Sequence, residues 1–293
     1  MTLTSIRTGI RILAIFLAAG LSFVSTSRAQ DQQQQQPAKP AAPAQAPAPA
    51  AGAPPPAEPP KIDPEEEKAF KAFSDASTPQ DVDKQIALGE QFVQKYPQSK
   101  YDSPVYDRLT QNYLAKQEPD KMYAAADKAL AINKDDVTVL VIVGWTIPHV
   151  YDPNDINSER LLNKAEDYEK HALEVLDKLP KPANLTDDQF ANAKQLALSQ
   201  AHSGLGLVYF RRQDFANSIT ELQLGEKLAA TPDPTDFYVM GIELDQLKRY
   251  PEAADAYQKC AQLPGGLADR CKQKAEQSKK QAAAAPAATP AKP

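Results

Sequence analysis

Residues 201–215 read AHSGLGLVYFRRQDF, and residues 236–250 read DFYVMGIELDQLKRY. Set one above the other, the two stretches share a frame. Leu205-Gly206 matches Met240-Gly241, Tyr209 matches Leu244 and Phe215 matches Tyr250. Further on, Ser218 matches Ala253, Leu222 matches Tyr257 and Gly225 matches Cys260, every pair 35 positions apart. Large and small residues alternate at helical spacing, the pattern of hairpins whose small residues let two helices approach. This frame also decides how His202-Ser203-Gly204 is read. A serine nucleophile sits on a strand–turn–helix elbow, and a dinucleotide loop needs three glycines after a strand. Here the flanking pattern is helical and Gly206 is the packing residue of the repeat, so no catalytic residue is assigned.

A step of 34 carries the frame upstream, where Leu109, Thr110 and Tyr113 map onto Val143, Gly144 and Ile147. Second helices supply Ala126, Ala129 and Leu130 in one unit and Ala165, Ala172 and Leu173 in the next. Leu88, Phe92 and Tyr96 mark a degenerate first unit. Two insertions interrupt the array, YDPNDINSER (151–160) and PKPANLTDD (180–188).

The unit resembles the tetratricopeptide repeat, a helix–turn–helix of about 34 residues. The run GEQFVQKYPQSKYDSPVYDRL is similar to such repeats in bacterial envelope proteins. The resemblance implies an all-α fold: a right-handed α-solenoid of about five hairpins, kinked or widened at the insertions. A repeat cannot bury its own face, so stacking supplies the core and a polar terminal helix near 267–281 caps it. Local signals agree. Thr78-Pro79, Thr186 with Gln189, and Tyr250-Pro251 mark helix starts.

Four segments follow. Residues 1–29 have the layout of a secretory signal: Arg7 and Arg11, then an apolar run of 13 residues, then Ser27 and Ala29 at the −3 and −1 sites. That run is short of the roughly 20 residues that span a bilayer, so cleavage is expected and a signal anchor is the alternative. Residues 30–62 form a Pro/Ala/Gln-rich linker whose composition predicts disorder; 10 of the 31 residues 30–60 are proline. Residues 63–281 carry the repeats, and 282–293 are a second Ala/Pro-rich tail. The expected compartment is outside the cytoplasm, periplasmic first and secreted second. Loss of Arg7, Arg11 and Arg28 takes the net charge from −5 to −5 − 3 = −8. That acidity argues against nucleic acid, which needs a basic patch.

The histidines, His149, His171 and His202, lie in three helices with no ligand partner at metal spacing, so no metal and no cofactor is implied. Cys260 and Cys271 flank LPGG, a tight reversal that lets the two helices pack antiparallel with these positions facing. An exported chain with an even cysteine count favours a disulfide; two buried free thiols are the alternative.

The resemblance further implies that the first helix of each unit lines a concave face that takes a protein or extended peptide. The positions that project there are Asp107, Gln111, Val141, Trp145, Ser203, Leu207, Phe210, Arg211, Tyr238 and Ile242. Family members that clamp a C-terminal carboxylate use lysine and asparagine at such positions, and those are missing here. Trp145 is an anchor if exposed and a packing residue beneath 151–160 if not. The functional expectation is a non-catalytic exported scaffold. Its alternatives are an enzyme or small-molecule binder with a pocket beneath the insertions near 151–160 and 180–188, or a structural envelope protein.

Overall fold

A computed structural model describes residues 63–76 and 81–284. The signal, the linker, the Thr78-Pro79 helix start and residues 285–293 lie outside the described residues. Within them the chain is eleven α-helices and no strand: α1 (Pro64–Asp75), α2 (Val82–Lys95), α3 (Asp102–Ala115), α4 (Pro119–Ile132), α5 (Val137–His149), α6 (Ser158–Lys178), α7 (Asp187–Arg211), α8 (Phe215–Leu228), α9 (Pro234–Gln246), α10 (Tyr250–Gln262) and α11 (Ala268–Ala284). They pair as five successive hairpins, with α11 closing the stack against α10. The helix near 267–281 is thus present, and it runs three residues into the stretch read as tail.

Polar side chains cap five of the described helices, α1, α5, α7, α8 and α9, whereas α10 begins at Tyr250-Pro251 without a side-chain cap. Asp63 accepts from the Glu65 amide at 2.9 Å ahead of Pro64, and Asp136 accepts from Val139 at 3.2 Å. Thr186 and Gln189 form the reciprocal capping box at 3.2 and 2.9 Å. Each bond satisfies an amide that the first helical turn leaves without a partner.

The turns inside hairpins two, four and five are copies of one another. Gln117, Gln213 and Lys248 all adopt left-handed backbone, with φ of 60°, 61° and 59°. The next amide then reaches back five residues to a helix carbonyl: Glu118 to Tyr113 at 2.9 Å, Asp214 to Tyr209 at 3.0 Å and Arg249 to Leu244 at 2.8 Å. This is the helix-terminating bond that frees the chain to reverse. Hairpin three lacks it because residues 150–157 intervene. There Asp152 and Asp155 accept from the amides of Asn154 and Asn157 at 2.9 and 2.8 Å, and Ile156 is left 99% exposed.

Packing follows the small–large frame. Gly206 abuts Leu222, Gly241 abuts Tyr257, and Ser218 donates to the Gly206 carbonyl at 2.8 Å. The apolar interior is four clusters strung along the stack rather than one centre, as expected where each repeat touches only its neighbours. Cys260 and Cys271 are joined in a disulfide, Cα atoms 5.9 Å apart. Gly265, at φ 142°, makes the reversal between their helices.

Candidate functional site

The first helices of consecutive hairpins pack on one another: α3 on α5, α5 on α7, α7 on α9, and α9 on α11. Among the described residues the second helices make no comparable contacts with one another. Each second helix packs instead on the first helix of the following hairpin, α2 on α3, α4 on α5, α6 on α7 and α8 on α9. The first helices of hairpins two to five thus run side by side along the stack as a wall. All ten nominated positions lie on α3, α5, α7 and α9.

Their exposure differs sharply. Asp107, Val141, Trp145, Ser203, Leu207 and Tyr238 are buried, whereas Gln111, Phe210, Arg211 and Ile242 are partly open. Val141 and Leu207 belong to the apolar clusters. Trp145 is 6% exposed, and its ring lies 3.6 Å from that of His149, whose Nδ1 bonds the Trp145 carbonyl at 2.7 Å. Burial lowers the His149 pKa, only partly opposed by that carbonyl and by Asp233. Tyr238 packs 5.9 Å from Tyr257, with the Arg270 guanidinium over its ring at 5.4 Å.

Carboxyl groups punctuate the wall. Asp107 accepts from Gln111 at 2.8 Å and is pushed up by burial and by Asp136. Asp236, at the start of α9, accepts from the Ser203 hydroxyl at 2.9 Å. Burial raises it well above the carboxylate range, as do Asp233 and Glu226 nearby. Ser203, to which the sequence assigned no catalytic role, is thus a donor to a buried acid, while its neighbour His202 bonds Glu221 instead.

The two adjacent arginines diverge. Arg212 turns to α6, engaging Glu159 at 3.1 Å together with Glu166 and Asn163. Arg211 turns to the end of α5. Its Nε donates to the Pro148 carbonyl at 2.8 Å, and its guanidinium lies 5.4 Å from the Tyr151 ring and 5.6 Å from the Phe210 ring. Among the described residues no carboxylate pairs with it.

The structure therefore brings Phe210 and Arg211 together and adds Tyr151 from the insertion, which the sequence frame did not nominate. Asp236 and Glu169 were likewise missed, because charged residues on helices read as solvated faces. The three histidines are occupied separately, His171 by Asp135 and His202 by Glu221, each at 2.7 Å. Among the described residues no group of His, Cys, Asp or Glu is placed to hold a metal, and no helix is long and apolar enough to cross a membrane.

No family model and no curated protein matches the chain. Among solved structures it is similar to TTC0263, a thermophilic TPR protein in Thermus thermophilus, at 15% identity and a TM-score of 0.46, covering 73% of this chain and 99% of that one. It is also similar to PilW, a type IV pilus biogenesis factor, at 13% identity and a TM-score of 0.48, covering 76% of this chain and 94% of that one. At those scores the likeness adds nothing to what the hairpins, their turns and their glycine contacts show by themselves.

Proposed function

We propose that the chain is an exported, non-catalytic scaffold that holds a protein or an extended peptide against the wall of first helices. The observation that carries this reading is Arg211. In a chain with 38 acidic residues, a half-buried guanidinium between two aromatic rings has no acid of its own among the described residues. A cation that is partly desolvated and held by a backbone carbonyl offers its remaining N–H donors to a ligand. Arginine beside aromatic rings is also the composition that concentrates binding energy at protein interfaces. Gln111 and Ile242, partly open on α3 and α9, extend the surface to either side. Export rests on the N-terminal signal pattern, and the linker is the tether that sets reach.

Site-specific photo-cross-linking in intact cells tests this. A photoreactive residue at Gln111 or Ile242 should capture one dominant protein, and one at Glu174, exposed on the second helix α6, should not. Equal capture from both faces contradicts the reading. So does a co-purifying small molecule with no protein adduct, which would return the site to a small-molecule pocket.

A further inference from the structure

The seam between the third and fourth hairpins contains a carboxyl group with nothing to bond. Glu169 of α6 is fully buried, and neither of its oxygens has a hydrogen-bond partner among the described residues. It fills a notch made by two absent side chains. A Cβ on Gly144 of α5 would fall 2.6 Å from its Oε1, and a Cβ on Gly204 of α7 would strike the same oxygen.

What faces it is uncharged: Gly144 on α5, and Gly204 with the Trp145 backbone where α5 and α7 cross. On its own helix the charged neighbours point elsewhere. Glu166 bonds Lys170 and Arg212, and His171 bonds Asp135. Burial is accordingly the one cause acting on this group, and it holds the pKa well above the glutamate range. Removing an ionised carboxylate from water without a partner is far costlier than removing the neutral acid.

A second unpartnered acid lies at the next seam, here on a first helix and without a glycine notch. Glu243 of α9 is fully buried with both oxygens unpartnered. Burial raises it to about 8, and the Ser218 hydroxyl of α8, which donates to Gly206, offsets little of this. Asp236 on the same helix is the acid that feels Glu243, and it is itself held by Ser203. From α9 and α11, Asp245 and Ser278 bond each other, and Asp245 also takes the Tyr257 hydroxyl of α10.

We propose that Glu169 and Glu243 are proton-operated latches of the two seams that flank the fourth hairpin, closed as neutral acids and loosened when they ionise. Both groups have folded pKa values above the unfolded one. Their stabilisation is complete below the unfolded glutamate value of about 4.3 and is lost as pH rises through the folded value. For Glu243 that window closes at about 8. The hairpins should thus hold one another more tightly in a mildly acidic medium than in a mildly alkaline one. This holds whether or not the wall of first helices takes a peptide.

Thermal unfolding of the full chain, of Glu169→Gln, of Glu243→Gln and of the double variant, between about pH 5.5 and about pH 8.5, reads the latch directly. The wild-type midpoint should fall toward alkaline pH. The double variant should fall less and should lie several degrees above wild type at the alkaline end. A folded double variant with the wild-type slope overturns the proposal. Carbon-13 NMR titration of the wild-type glutamate carboxyls decides it independently should the variants fail to fold. A Glu169 carboxyl still protonated at neutral pH supports the latch, and one titrating in the ordinary glutamate range overturns it.

Discussion

Gly241 leaves room for the edge of the Tyr257 ring: a Cβ on that glycine would sit 2.5 Å from Cε1 of the tyrosine. One repeat earlier Gly206 stands in the same relation to Leu222, at 2.7 Å from Cδ2. The Tyr257 ring cannot simply retreat, since it is fully buried and its hydroxyl bonds Asp245 at 3.2 Å. Alanine at position 241 gains about 1 kcal/mol in helix propensity. It loses about 1–3 kcal/mol, or more, to overpacking. Gly241→Ala should therefore be destabilised, by about 1 kcal/mol net, in urea unfolding with an unchanged slope. A stabilised variant would show that the hairpin has slack it is not credited with.

The Cys260–Cys271 link closes a short loop, with a sequence separation of 11. Chain-entropy arguments assign a loop of this size about 3 kcal/mol. Reductant, or Cys271→Ser, should lower the unfolding midpoint and raise amide exchange in α11 before the other helices. Complete alkylation of the native chain without reductant would mean that the two thiols do not pair.

At Gln213 the left-handed backbone is imposed on a residue with a Cβ. L-residues pay about 1–2 kcal/mol there, and glycine does not. Gln213→Gly should stabilise by a few tenths to about 1 kcal/mol, because glycine's greater freedom in the unfolded chain returns part of the gain. Lys248→Gly should do the same by the same turn. Loss of stability in both would mean that the side chains contribute something beyond their backbone shape.

Acid should weaken one contact that the latches do not govern. Burial works to raise the Glu166 pKa, but its bonds to Lys170 and Arg212 outweigh that and hold it below the usual glutamate range. A depressed carboxylate contributes stability above its unfolded pKa and loses it as pH falls through the folded one. Arg212→Ala should thus cost about 1–2 kcal/mol near neutrality and progressively less below about pH 4. Unfolding midpoints at the two pH values check this, and a cost independent of pH contradicts it.

The repeat could be read from sequence because its determinants are local in type and regular in spacing. Leu205-Gly206 and Met240-Gly241 announce their partners Leu222 and Tyr257, and Thr186 with Gln189 announces a helix start. The seams could not. Glu169 sits in EDYEKH, a stretch indistinguishable from a solvated face, and its burial depends on glycines of two other helices. Trp145, Leu207 and Tyr238 read from the frame as groove positions, yet all three are buried. Leu207 and Tyr238 pack into the cluster that α8, α10 and α11 complete, and the Trp145 ring lies against His149. Arg211 and Arg212 are the same residue type side by side. Only the angle between consecutive residues of a helix sends one to α6 and the other to Tyr151.

That adjacency separates binding from stability in one experiment. The readout is the yield of protein cross-linked through a photoreactive residue at Ile242, compared between Arg211→Ala and Arg212→Ala. Loss of a central arginine contact worth about 1.4 kcal/mol or more lowers affinity at least tenfold. Both variants should unfold at a somewhat lower midpoint, since Arg211 also holds the Pro148 carbonyl. With both chains folded at the assay temperature, only Arg211→Ala should lose most of the adduct, and Arg212→Ala should keep it. An undiminished adduct in Arg211→Ala would contradict the assignment of this surface as the binding site.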